Sequence, residues 1–240
     1  MTGQLGAALF RDDAFYLALD TSGPSGFVAV GRGGEVLART RLDRKGKHAS
    51  LLVRTVDRVL EEASVELAEV AGVVVGEGPG SFTGVRVAAA TAKGLARALD
   101  VPLWAVSSLA AGAVADLGSL GPGIRYVLFD ARADRVYAGC YGVGSRGVET
   151  VVPPHADTLR ELLAGDLPDG VAFAGDGAER HRRLIEGAGF PVLAPPAGEP
   201  TADALLHLLA LHPDTPPVAD LATWEPRYVK ASNAEREWVA

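Results

Sequence analysis

The sequence of 240 residues contains a single cysteine, a single methionine and few aromatics, 6% of the chain. One cysteine makes no intramolecular disulfide, so a disulfide-stapled scaffold is excluded. The apolar run around Cys140 reads as the setting of a buried thiol in a reducing compartment. Histidine is scarce as well, with five in the chain. His207 and His212 are spaced to lie on different faces of a helix, and His48 is followed one helical turn later by Leu52 rather than a second ligand. No H-x-x-x-H metal pair therefore forms. No G-x-S-x-G elbow surrounds a serine, and Cys140 has no basic neighbour in sequence to activate it. No apolar run approaches the roughly 18–20 residues that span a membrane. The opening MTGQLGAALFRDD lacks the basic start and long apolar stretch of a signal peptide. The expectation is a globular, cytoplasmic protein without a membrane partner.

Small apolar residues are plentiful instead. Hydrophobic residues make up 48% and charged ones 22%, and mean hydropathy is +0.16, which excludes disorder as the dominant state. The formal charge is −7, and it is unevenly spread. Residues 1–112 carry 12 basic and 12 acidic side chains, and all the excess acid lies beyond them. Such a balance argues against a general electrostatic grip on nucleic acid, which rests on neutralising phosphates. One basic run, Arg39, Arg41, Arg44, Lys45 and Lys47, reads either as a solvated strand edge, the favoured reading of so short a run, or as a contact for an acidic partner.

The chain's order suggests two related halves. Phe15–Leu19 is an apolar run of strand length ending at Asp20, followed by turn residues and a second run, Phe27–Val30. Glu35–Leu42 returns as a third strand. From His48 the period becomes helical, with Leu52, Val56, Val59, Leu60 and Ala63 on one face. Ala71–Val75 is a buried strand, a Gly-rich loop follows, and a helix is expected over roughly 85–99. Leu117–Gly123, with three glycines and a proline, is the best internal boundary. Beyond it Tyr126–Asp130 repeats the form of Tyr16–Asp20, and 136–142 answers 27–31. The strand and G-acid-G turn at 171–177 answers 73–78. Two matches in one order imply an internal duplication, with lobes over 14–116 and 117–240. The last helix of the second lobe is a candidate to pack back on the first, and residues 1–13 are expected to form a disordered extension. The proline-rich stretch 193–217 leaves that late helix hard to place.

Three features invite chemistry. The turns after Asp20 (with Thr21) and Asp130 read as phosphate-gripping hairpins, or as aspartates accepting hydrogen bonds from their own turns. Ser22 and Arg132, where glycine would allow close approach, weigh against phosphate. The loop containing Gly78, Gly80, Ser81 and Thr83 opens a helix and suits an anion, aided by Arg86, or serves as a tight structural turn. It is neither G-x-G-x-x-G nor a P-loop. Gly175, Asp176 and Gly177 complete the set of candidate nucleotide or anion contacts. None of these is a self-sufficient catalytic constellation.

The motifs LALDTSG (17–23), HASLL (48–52), GEGPGSFTGVRVAAATAKGLA (76–96), VPLWAVSSLAA (101–111), FDARADRVYAG (129–139), AGDGAE (174–179) and PRYVK (226–230) resemble, in order, those of the bacterial TsaB (YeaZ) family. The resemblance implies an α/β fold of two actin-like (ASKHA, RNase H-like) lobes, each a mixed sheet flanked by helices. It implies a non-catalytic subunit that supports a TsaD-like catalytic subunit, alongside a TsaE-like ATPase, in transferring threonylcarbamoyl to adenosine 37 of tRNA. TsaD-like subunits hold a metal through an H-x-x-x-H helix, and Leu52 here replaces the second ligand. No intrinsic cofactor is implied, ATP or ADP and a divalent metal belonging to the partners. By this resemblance the partner contacts fall on His48, Leu52, Val56 and Leu60 of one helix and Val87, Ala90, Gly94 and Ala98 of the next. A homodimer using the same face is expected when the partner is absent. The alternative reading is a stand-alone actin-fold ATPase or phosphotransferase.

Overall fold

Every residue of Leu17–Asp20 is buried, without the in-out alternation of a half-exposed strand, because this strand lies at the middle of a sheet covered on both faces. The structure, a computed structural model, describes residues 10–42, 48–145 and 147–229, with side chains of the second segment described from Leu51 onward. The first lobe runs β1 (Phe15–Asp20), β2 (Gly26–Arg32), β3 (Glu35–Leu42), α1 (His48–Ala63), β4 (Val70–Gly76), α2 (Phe82–Leu99), β5 (Leu103–Val106), α3 (Ser108–Val114) and the short α4 (Leu117–Leu120). The second runs β6 (Gly123–Asp130), β7 (Arg135–Gly144), β8 (Gly147–Thr158), α5 (Leu159–Ala164), β9 (Ala172–Ala174), α6 (Asp176–Arg180), α7 (Arg182–Gly187) and α8 (Ala202–Leu211).

The duplication is visible in the strand order. The first sheet is β3-β2-β1-β4-β5, and the second is β8-β7-β6-β9, continued by a parallel bridge from Phe173 to Val192 where β5 would stand. In each lobe a three-stranded antiparallel meander is joined by parallel strands: β1 pairs β4 and β6 pairs β9. Asp20 and Asp130 end the equivalent strands, β1 and β6. This is the two-lobe α/β architecture, mixed sheets flanked by helices, that the actin-like resemblance implies.

Three apolar cores result. One lies between the first sheet and α1 and α2, another between the second sheet and α5, α6 and α7. The largest joins the lobes, with α3 and α8 packed among Tyr16, Trp104, Phe129 and Tyr141. Helix α8 is apolar nearly all round, as a buried helix must be, and Thr201 caps it through the Ala204 N–H. It lies within the proline-rich stretch, where Pro200 precedes the cap and Pro213 follows its end. Phe10, expected within a disordered extension, is instead packed: it is buried and stacks on Tyr16 with ring centroids 4.4 Å apart, while residues 11–13 are exposed. Residues 1–9 lie outside the described residues.

After α8 the chain crosses the first lobe as a strap. Trp104 Nε1 donates to the Thr215 carbonyl at 3.0 Å, and the Val218 N–H donates to Leu103 at 2.7 Å. That bond covers the otherwise open edge of β5, a position that invites unwanted pairing when bare. Lys93 of α2 then donates to the Trp224 carbonyl at 2.9 Å. The Arg227 N–H closes on Glu77 at 2.9 Å, beside the Gly-rich loop.

Candidate functional site

Between the lobes lies a cleft of about 350 Å³, lined among others by Ser22, Gly80, Ser81, Thr83, Asp130, Arg132 and Asp176. Of the anticipated anion contacts, Gly80, Ser81, Thr83 and Asp176 line it, whereas Asp20, Thr21, Gly78, Arg86, Gly175 and Gly177 do not. Asp20 is fully buried and does not line the cleft. Its Oδ1 accepts the Ser22 N–H and hydroxyl, both at 2.6 Å, and its Oδ2 accepts the Ser108 hydroxyl at 2.6 Å. Gly76 is glycine for the same reason, since a Cβ there would sit on the Asp20 carboxylate. Asp20 is thus the knot joining the first turn to α3, and the turn reading prevails over phosphate.

The Gly-rich loop is stapled to that turn. Gly78 adopts φ +93°, and its N–H donates to the Ser108 hydroxyl at 3.1 Å. The Ser81 N–H donates to the Ser22 carbonyl at 2.8 Å. Ser81 caps α2 through the Gly84 N–H at 3.4 Å, which starts the helix at Phe82 rather than at 85. Thr21 donates its hydroxyl to the Gly84 carbonyl at 2.6 Å. A side chain on Gly84 would strike the Thr21 carbonyl, and one on Gly80 would strike Ser22. These glycines serve close backbone packing. Thr83 is exposed at the cleft.

The second lobe repeats the knot in weaker form. The Arg132 N–H donates to Asp130 Oδ1 at 3.0 Å, and Arg180 pairs with Asp130 Oδ2 at 2.6 Å. Asp176 Oδ1 accepts the Asp130 N–H at 3.3 Å. Gly175, at φ +99°, and Gly177 both press on the backbone of Leu128, and Gly198 presses on Gly175 in turn. The alternative reading, a stand-alone ATPase or phosphotransferase, needs a metal–nucleotide in the cleft, and the donor set here does not fit one. Asp20 has both oxygens engaged internally, Asp130 is neutralised by Arg180, and among the described residues no three His, Cys, Asp or Glu side chains converge.

Burial lifts Asp20 to about 6, opposed by the hydrogen bonds from Ser108 and Ser22. Burial likewise lifts Asp176 to about 6. A carboxyl that holds its proton more tightly when folded stabilises the fold at low pH, and that stabilisation is lost as pH rises from about 4 through about 6. For Asp20 the span is worth roughly 3 kcal/mol at about 1.4 kcal/mol per tenfold change in proton affinity. Denaturant melts should therefore show stability falling over this window. Asp20→Asn should flatten the fall by roughly that amount, and an unchanged pH profile in the variant would refute the assignment.

The helices correct the expected partner contacts. Leu52, Val56 and Leu60 are at most 4% exposed and form the core beneath the first sheet, so they are unavailable to a partner. The side chain of His48 lies outside the described residues, as do Arg44, Lys45 and Lys47. On α2, Ala90, Gly94 and Ala98 are exposed and Val87 half-buried against the core; a Cβ added to Gly94 meets nothing within 4 Å. Arg86 does not face the cleft. Its guanidinium lies 3.9 Å above the Phe82 ring, and its Nε donates to the Tyr228 hydroxyl at 3.0 Å. Arg39 pairs with Asp203 and Arg41 with Glu199, tying β3 to the segment leading into α8 and to its first turn. Sequence reasoning missed Ser108 and Tyr228. The serine pair at the start of α3, with Ser107 as its cap, was a visible signal, but nothing local marked Tyr228 as a neighbour of α2.

Comparison with known proteins places this geometry. The family described as "TsaD: tRNA N6-adenosine threonylcarbamoyltransferase" matches residues 36–191. The chain is 32% identical over 231 residues to the tRNA threonylcarbamoyladenosine biosynthesis protein TsaB of Bacillus subtilis, covering 93% of this chain and 97% of that one. It is 30% identical over 162 residues to a tRNA N6-adenosine threonylcarbamoyltransferase of Bradyrhizobium diazoefficiens, covering 65% of this chain and 44% of that one. The solved structure of YeaZ from Pseudomonas aeruginosa superposes with a TM-score of 0.74 at 30% identity, covering 90% of this chain and all of that one. By length covered, identity and shape, the chain belongs to the TsaB (YeaZ) family.

Proposed function

We propose that this chain is a non-catalytic subunit in the biosynthesis of threonylcarbamoyladenosine at position 37 of tRNA, working in the cytoplasm by docking on a TsaD-type threonylcarbamoyltransferase. The observation that carries the non-catalytic reading is Asp20: the carboxylate best placed by sequence to serve a nucleotide is buried and saturated by Ser22 and Ser108. The docking reading draws on the outward face of α2, where Ala90, Gly94 and Ala98 leave room for another backbone. It also draws on the relatedness to a transferase, since subunits of one fold pair readily through equivalent surfaces. The TsaE-like ATPase and tRNA then join through the complex, and nucleotide and metal chemistry belong to those partners. Without the partner, the same face pairs with a second copy.

The stand-alone ATPase reading needs an acid open to a metal–phosphate, and Asp20 offers none. Deletion of the gene should abolish threonylcarbamoyladenosine in bulk tRNA, read by nucleoside mass spectrometry, with restoration by the wild-type chain. Unaltered modification in the deletion strain would sink the proposal.

A further inference from the structure

The segment 116–123, which contains the internal boundary read from sequence, connects the lobes and has the look of a hinge. Asp116 and Gly121 turn at φ +60° and +68°, and hinges that let two lobes close on each other are built from a few such loop residues. One side chain ties this segment down. Arg125, near the start of β6, is 3% exposed, a rare place for an arginine. Its guanidinium donates to the Ala113 carbonyl, before the segment, and to the Gly121 carbonyl within it, the latter at 2.5 Å. The Ala113 carbonyl is one of those that a helix leaves without an internal partner at its C-terminus, and that end of a helix favours a cation.

Ala113 belongs to α3, all of whose residues are buried. The start of α3 holds the first lobe through the Ser108 hydroxyl on Asp20. It also meets the second lobe, where the Ser107 hydroxyl lies 3.5 Å from that of Tyr141. The chain's return from the second lobe is fastened to the same helix, the Gly198 N–H donating to the Gly112 carbonyl at 3.0 Å. On its other side Gly198 presses on Gly175 of the second lobe. Small residues fill most of α3, which is why backbone from both sides can reach it.

We infer that α3 is a locked axle: both lobes and both chain crossings are fastened to it, so the lobes keep one angle and the cleft does not open and close. Rotation of one lobe against the other would have to break either the Asp20–Ser108 bond or the Arg125–Ala113 bond. Both are buried, where a polar group left without its partner is costly. A cleft that closes on a ligand needs one lobe free to swing, and here neither is. The chain is then a rigid body that presents surfaces of both lobes in fixed relation. This stands apart from the docking reading and holds or fails whichever partner the chain has.

Double electron–electron resonance between nitroxide labels at Asp57→Cys in α1 and Asp166→Cys beyond α5 tests this on the full chain. Both positions are exposed, and the natural Cys140 is buried. The parent should give one narrow distance distribution. Arg125→Leu, which removes the pin, should widen it at least twofold. Gly112→Ala should do likewise, because a Cβ there strikes the Gly198 carbonyl and parts the second crossing from α3. Far-UV spectra report which variants fold, and where Arg125→Leu does not, Arg125→Lys takes its place, keeping the charge but losing the planar fork. A parent distribution that is broad or has two peaks overturns the inference, and so does a parental width in every folded variant.

Discussion

Gly94→Trp should leave the isolated chain as stable as the parent, yet weaken its binding to a TsaD-type subunit by about 100-fold, or roughly 2.7 kcal/mol. Both halves follow from one position. Gly94 lies inside α2 with open space where its Cβ would be, and the position is exposed, so a side chain leaves the helix there without a clash at its root. Glycine is also a poor helix former, costing about 1 kcal/mol against alanine, so the substitution gains slightly in helix propensity. The indole projects from the face of α2 between Ala90 and Ala98, where a close helix crossing has no room for it. Melting temperature and affinity should therefore separate. A variant that melts as the parent does and also binds as the parent does would remove α2 from the interface.

Leu52→Ala should do the reverse. Leu52 is completely buried among Val28, Val30, Val56 and Val73 of the first lobe's core. Truncating a buried leucine costs about 2–5 kcal/mol, the transfer term plus the cavity left behind, out of the 5–15 kcal/mol typical of a folded domain. Urea denaturation should show the midpoint falling by a corresponding amount with little change in slope. The fraction that remains folded should bind its partner with parental affinity, because the side chain never reaches the surface. Loss of affinity without loss of stability would restore Leu52 to the interface and overturn the account of α1.

Leu52 also shows where sequence reasoning stops. Periodicity places Leu52, Val56 and Leu60 on one face of a helix, but it does not say whether that face meets the chain's own sheet or another protein. The sheet wins because α2 covers β1 and β4 but leaves the β2 and β3 side, including Val28 and Val30, for α1 to cover. The duplicated strands were legible because Tyr16–Asp20 and Tyr126–Asp130 carry the same apolar run with the same terminal acid, and their pairing repeats in space. Arg86 was misplaced for the opposite reason. Its nearness in sequence to the Gly-rich loop suggested an anion, whereas its partner is Tyr228, 142 residues away. Helix α8 was obscured by flanking prolines, although Thr201 three residues before Ala204 was a readable cap. The closeness of Asp20 to a turn was visible. Its saturation by Ser108, 88 residues on, depended on the fold.

The central claim is that this chain contributes a surface, and the chemistry belongs to its partner. Sedimentation of the 24.8 kDa chain mixed with its cognate TsaD-type subunit tests this most directly, with threonylcarbamoyl transfer to tRNA assayed on the same samples in the presence of the remaining components. The account predicts a species heavier than either chain, transfer only when both are present, and no transfer when this chain replaces the partner. Two independently sedimenting chains, or transfer by this chain without the TsaD-type subunit, would contradict it.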